Sequence, residues 1–120
     1  MRPAPKGYKW CKTVDEAKED IISSERLFKS ALNHARYHLA NDNLQFVEEY
    51  SKEAEKYKID LIDIDHDAGL FVMGGGDYIN VLKWLEETNR NYPIRIHSMN
   101  PVGVANMRAI VQKNGWTEVF

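Results

Sequence analysis

Two apolar periods run along this chain. Val14, Ala17, Ile21, Phe28, Ala31, Leu32, Ala35 and Leu39 keep the spacing of one helical face, and Ser23-Ser24 leaves open one bent helix or two. Thr13 and Glu16 bracket the start of that stretch at the separation where a hydroxyl and a carboxylate each satisfy a free amide of the other's segment. After the turn residues Asn41-Asp42-Asn43, the positions Leu44, Val47, Tyr50, Ala54 and Tyr57 predict a second amphipathic helix, so residues 24–57 read as an all-helical insertion. Elsewhere the period shortens. Tyr8-Lys9-Trp10-Cys11 reads as a strand, and Ile59-Asp60-Leu61-Ile62-Asp63-Ile64-Asp65 is dense in branched side chains, as a strand buried on both faces of a parallel sheet would be. Gly74-Gly75-Gly76 leads to Asp77 as N-cap of a helix carrying Ile79, Leu82 and Leu85, which ends near Asn89-Arg90-Asn91. Pro93-Ile94-Arg95-Ile96-His97 predicts another strand; Asn100 caps a final helix with Pro101 in its first position, and Asn114-Gly115 closes it. Trp116 to Phe120 reads as an edge strand. Strands alternating with helices predict an α/β fold with a parallel sheet.

A length of 120 residues suits a single domain, residues 1–120. With 43% hydrophobic and 28% charged residues and no long apolar run, the chain reads as water-soluble. Met1 to Gly7 offers no apolar core of a secretory signal, so a cytoplasmic location is expected. One cysteine, Cys11, excludes an intrachain disulfide and reads as a buried structural residue beside Trp10. A formal net charge of −2 argues against a duplex nucleic-acid surface but leaves room for a small anionic ligand. No membrane partner is expected.

The chemistry gathers at two strand ends. In open parallel sheets the loops that follow the strands leave on one edge, where ligands bind, and this edge receives both Asp65-His66-Asp67 and His97-Ser98-Met99-Asn100. The free amides of Val102 and Gly103 at the start of the last helix favour a phosphate there. Three chemistries fit. Asp65 and Asp67 can hold a divalent cation such as Mg or Mn, with His66 or His97 moving protons; the two histidines can act as an acid–base pair on a phosphodiester; or the same groups can recognise ribose and phosphate without turnover. Plainer roles compete: an aspartate at a strand end is often a turn or cap residue, and His97 is a core histidine about as often as a site residue. His34 and His38, one turn apart without a third ligand, read as solvent or packing residues, and Asp63 as a cap partner or a buried pocket carboxylate. Gly74 to Gly76 lacks the lysine of a phosphate-binding loop and reads as a flexible lid. Trp10, Trp84 and Trp116 are expected in the core or an interface.

Three segments together resemble the cyclic-phosphate-processing receiver-like domain: Ile64-Asp65-His66-Asp67-Ala68-Gly69; Gly75-Gly76-Asp77-Tyr78-Ile79 with Leu82-Lys83-Trp84-Leu85; and Ile96 to Gly103 continuing through Asn106-Met107. The resemblance spans residues 59–117, and more loosely Arg2-Pro3-Ala4-Pro5 to Ala17. It implies a receiver-like, flavodoxin-like fold and a role with nucleotides that carry cyclic phosphates. The ligand-binding set is then Asp65, Asp67, Asp77, His97, Ser98, Asn100, Val102, Gly103 and Asn106, with His66 and His97 catalytic if the protein is an enzyme. Two departures stand out: the helical insertion, and the absence ahead of Arg2 of the strand with paired aspartates that such domains usually carry. Without that strand two buried-type edges would need another chain, so a homo-oligomer is expected. Fewer acids favour binding and sequestration of a nucleotide signal, for instance by a virus against its host. A metal-assisted phosphodiesterase is the alternative, and a non-catalytic interaction module the third reading.

Overall fold

The computed structural model describes residues 9–67 and 73–120. Calls on Tyr8, on Ala68-Gly69 and on the first seven residues lie outside the described residues. The elements in chain order are α1 (Val14–Ala40), α2 (Leu44–Tyr57), β1 (Ile62–Ile64), α3 (Ile79–Glu87), β2 (Ile94–Ile96) and α4 (Pro101–Lys113). They form two compact units, one of residues 1–19 with 61–120 and one of residues 20–60, and α1 contributes to both. No helix among the described residues is long and apolar enough to cross a membrane.

The unit of residues 20–60 is helical throughout its ordered elements. Serine does not break a helix as proline does, and α1 runs through Ser23-Ser24 without interruption. The turn to α2 places Asp42 in the left-handed region at φ 58°, which an aspartate tolerates. His34 stacks on Tyr50 at 5.0 Å between ring centroids, and His38 on Tyr50 at 5.3 Å, with Phe46 at 4.9 Å from His38. Both histidines are packing residues. Ala31, Ala35 and Ala54 are buried as the helical period requires, whereas Leu39 and Leu44, beside the turn, are exposed.

In the other unit β1 and β2 pair in parallel, with Ile62 opposite Ile94, Asp63 opposite Arg95 and Ile64 opposite Ile96. A third segment joins the far side of β2 through a parallel bridge between Ile94 and Glu118: the Ile94 amide donates to Thr117 O, and Val119 donates to Ile94 O. The expected C-terminal edge strand is thus reduced to a bridge. The seven-residue strand expected at 59–65 shortens to Ile62–Ile64. Its partner is the reason: Asn89 reverses the chain in the left-handed region after α3, and the ladder begins only where Ile62 donates to Pro93 O. The strand expected at 8–11 is also corrected, because residues 9–12 have no strand conformation. Lys12 instead donates its amide to Glu16 and accepts from the Tyr78 hydroxyl, and Trp10 stays 42% exposed, so this aromatic run closes the helix start. Cys11 is correspondingly half-buried.

The isoleucines of both strands share one face by alternation; α4 packs on β2 and α3 on α4, and Val81, Leu82 and Leu85 of α3 with Met107 and Val111 of α4 are buried apolar side chains of this unit. Trp116 joins that core, while Trp84 is half-buried under the Arg90 guanidinium. Two sequence expectations hold at α4: the Asn100 side chain accepts from the Gly103 amide at 3.0 Å with Pro101 leading the helix, and Asn114 closes it. One fails at α3, whose cap position is Tyr78 with no side-chain cap bond, so Asp77 is not the N-cap. Nor is the glycine loop a lid. Gly75 has φ 114°, and a β carbon there would meet Val14 and Asp15 at 2.9 Å, so the loop presses its backbone against the start of α1.

Candidate functional site

Parallel pairing decides which polar side chains share a face. Opposite residues of parallel strands point the same way, so Asp63 and Arg95 lie together on the face away from the isoleucines. The ladder ends with the His97 amide, which donates to Ile64 O at 2.9 Å and holds His97 at the strand end. The face is polar along its length. His97 Nδ1 meets Asp63 Oδ1 at 2.5 Å; the Asp63 side chain is only 10% exposed, and that of His97 is 37% exposed. A nearly buried carboxylate thus orients an imidazole whose other ring nitrogen is left for a ligand. Arg95 is exposed beside them and makes no ion pair among the described residues.

His66 follows the opposite parity. Its ring lies against Gly103 in the first turn of α4, in the space a β carbon would fill there. Its Nδ1 meets Asp67 Oδ1 at 2.7 Å, with the His66 side chain 15% exposed. The backbone clamps this residue from both sides: its amide donates to Asp65 Oδ1 at 2.7 Å, and its carbonyl accepts from the Tyr78 amide at 3.0 Å. That second bond ties the Gly76-Asp77-Tyr78 segment to the strand end, and it brings a carboxylate oxygen of Asp77 within 4.8 Å of donor atoms of His66 and Asp67. The Tyr78 hydroxyl donates to Lys12 O at 2.6 Å, and its pKa is raised above 10.0 by burial first and then by the charge of Asp65.

The candidate residues therefore divide between two neighbouring groups on the carboxyl edge. Asp63 and His97 form one; His66, Asp67 and Asp77 form the other, with Asp65 bonded to the amide of His66. Ser98 and Asn100 act locally: Ser98 Oγ accepts from the Asn100 amide at 3.1 Å, and Asn100 caps α4. The same cap occupies the Gly103 amide, so of the two amides expected to meet a phosphate Val102 retains the available one, and its side chain is exposed. Asn106 is exposed a turn further along α4 and bonds to neither group among the described residues. Asp63 is the site residue that sequence left undecided. Its same-parity register with Asp65 was the available signal, but only pairing to β2 identifies His97 as its partner. Arg108 is held by Glu118 through a bidentate pair, at 2.9 Å from Nε and 2.7 Å from Nη2.

No curated protein and no solved structure matches the chain. The family model of the cyclic-phosphate processing receiver domain matches residues 33–113, well over half of the chain. The match takes in the end of α1 and all of α2, the helices that the motif comparison sets apart as an insertion, as well as both strands and every segment of the polar edge. By that match, together with the parallel sheet and the polar residues gathered at its carboxyl edge, the chain belongs to the cyclic-phosphate processing receiver domain family.

Proposed function

We propose that the chain binds a nucleotide carrying a cyclic phosphate at the carboxyl edge of its sheet and opens the phosphodiester, with His97 as the proton-transfer group. The observation that carries this reading is the Asp63–His97 pair. An ionised carboxylate is an acceptor only, so it holds the hydrogen on Nδ1 and leaves Nε2 as the basic nitrogen. Water adds to phosphorus, its proton passes to Nε2, and a proton returns from the ring to the ester oxygen as the phosphorus–oxygen bond breaks. Arg95 on the same face suits the phosphate charge, and Asp65 suits a ribose hydroxyl. We read the parallel succession of β1, β2 and segment 117–119 as part of a flavodoxin-like sheet, whose carboxyl edge is the usual ligand edge.

The test is incubation of the purified chain with nucleoside cyclic phosphates of both ring sizes and cyclic dinucleotides, followed by denaturation and mass-spectrometric identification of what is released. A linear phosphate ester is expected, and His97→Ala should lower its formation by about 10²- to 10⁴-fold while circular dichroism shows a folded chain. Recovery of the intact nucleotide in stoichiometric amount would replace turnover with sequestration. If no nucleotide raises the unfolding temperature, the interaction-module reading replaces both.

A further inference from the structure

We infer that His66, Asp67 and Asp77 form a binding site for one divalent transition ion, selective for Mn2+ or Zn2+ over Mg2+ and Ca2+. The donor atoms of the three residues lie within 4.8 Å of one another. Two ligands on opposite sides of one ion at about 2.2 Å each stand about 4.4 Å apart, so a small side-chain rotation closes the set. The backbone has already done the larger part of the assembly. The Tyr78 amide on His66 O fixes the Asp77 segment beside the strand end, and the Asp65 carboxylate on the His66 amide fixes the other side. The imidazole itself is confined, since its ring rests on Gly103 where any side chain would displace it.

The chemistry of the donors selects the ion. Magnesium and calcium prefer all-oxygen surroundings, whereas an imidazole nitrogen with two carboxylates suits manganese and zinc. Three protein ligands leave further positions for water or a ligand oxygen. This set differs from the strand-end pair of Asp65 and Asp67, because Asp77 supplies the second carboxylate while an Asp65 oxygen accepts from the His66 amide.

The inference concerns an ion alone and stands whether or not a nucleotide is turned over. It is tested by titrating the full chain with Mn2+ and following the free ion by electron paramagnetic resonance, then adding Zn2+, Mg2+ or Ca2+ in competition. Saturable uptake of a single equivalent is expected, displaced by Zn2+ and resistant to equal Mg2+. Both His66→Ala and Asp77→Asn should weaken it by at least about tenfold, and Asp65→Asn, which keeps an oxygen to accept from the His66 amide, should weaken it less than either. Gly103→Ala removes no ligand yet moves the ring, and should also weaken uptake while circular dichroism shows a folded chain. Absence of saturable uptake by the wild-type chain overturns the inference. So does loss of uptake in Asp65→Asn but not in Asp77→Asn, or displacement of Mn2+ by equal Mg2+.

Discussion

Gly103→Ala tests the seating of His66 most directly, because the two residues are far apart in sequence and their contact exists only in the tertiary structure. Carbon contacts are most favourable at about 3.5–4.0 Å. A β carbon on Gly103 would stand 2.6 Å from His66 Cδ2 and 2.8 Å from Nδ1, with Cγ nearer still, so the imidazole must leave its place. Such overpacking costs about 1–3 kcal/mol. Alanine in place of a helical glycine returns up to about 1 kcal/mol, so the single variant should lose about 0–3 kcal/mol net. In a His66→Ala background the obstacle is gone, and the same substitution should stabilise by up to about 1 kcal/mol. Urea unfolding of the four proteins of this cycle, at constant slope, should give a coupling of about 1–3 kcal/mol. If Gly103→Ala stabilises the chain equally in both backgrounds, the ring does not rest on α4, and the positioning argued for His66 fails with it.

Asn114→Ala should flatten the acid limb of the stability profile. The hydrogen bond from Asn114, with the charge of Lys113 beyond it, holds the Glu86 carboxyl below 4.5, so its contribution is full above that pH and is lost as pH falls through the lower, folded value; urea midpoints measured down the acid range check this. Tyr78→Phe removes the hydroxyl bond to Lys12 O and should cost about 1 kcal/mol or less in chemical unfolding. The raised Tyr78 pKa has the opposite sign to that of Glu86: its stabilisation is present below pH 10.0 and is lost as pH rises through the folded value, which an ultraviolet titration of the phenol follows. Glu118→Gln should lower the thermal midpoint and speed hydrogen exchange of the Ile94 amide, since the paired Arg108 holds the C-terminal segment that accepts that amide's bond. Unchanged exchange would detach the ion pair from the bridge.

Local chemistry made much of this fold legible. Thr13 begins α1 and accepts from the Glu16 amide, Asn100 and Pro101 open α4, and Asn114 closes it, because caps and turns depend on side chains only a few residues away. The polar residues at 65–67 and 97–100 were likewise visible as strand-end chemistry. What failed were decisions that belong to a partner. The extent of β1 was misjudged because it is set by where β2 begins, and the strand expected at 8–11 because described residues 9–12 make helix-start bonds instead of a ladder. Asp77 reads as a cap from its neighbours and turns instead toward His66 and Asp67, which its own segment does not contain.

By itself, then, the amino-acid sequence determined the α/β class, the start of α1 and both ends of α4, the family and the residue types available for chemistry. Only the folded chain decided the pairing of those groups. Parallel register assigned Asp63 to His97, and the absence of a β carbon at Gly103 seated His66 beside Asp67 and Asp77. The reason is geometric: propensity and capping act over one helical turn, whereas a shared face or a close contact depends on which distant backbone is laid alongside.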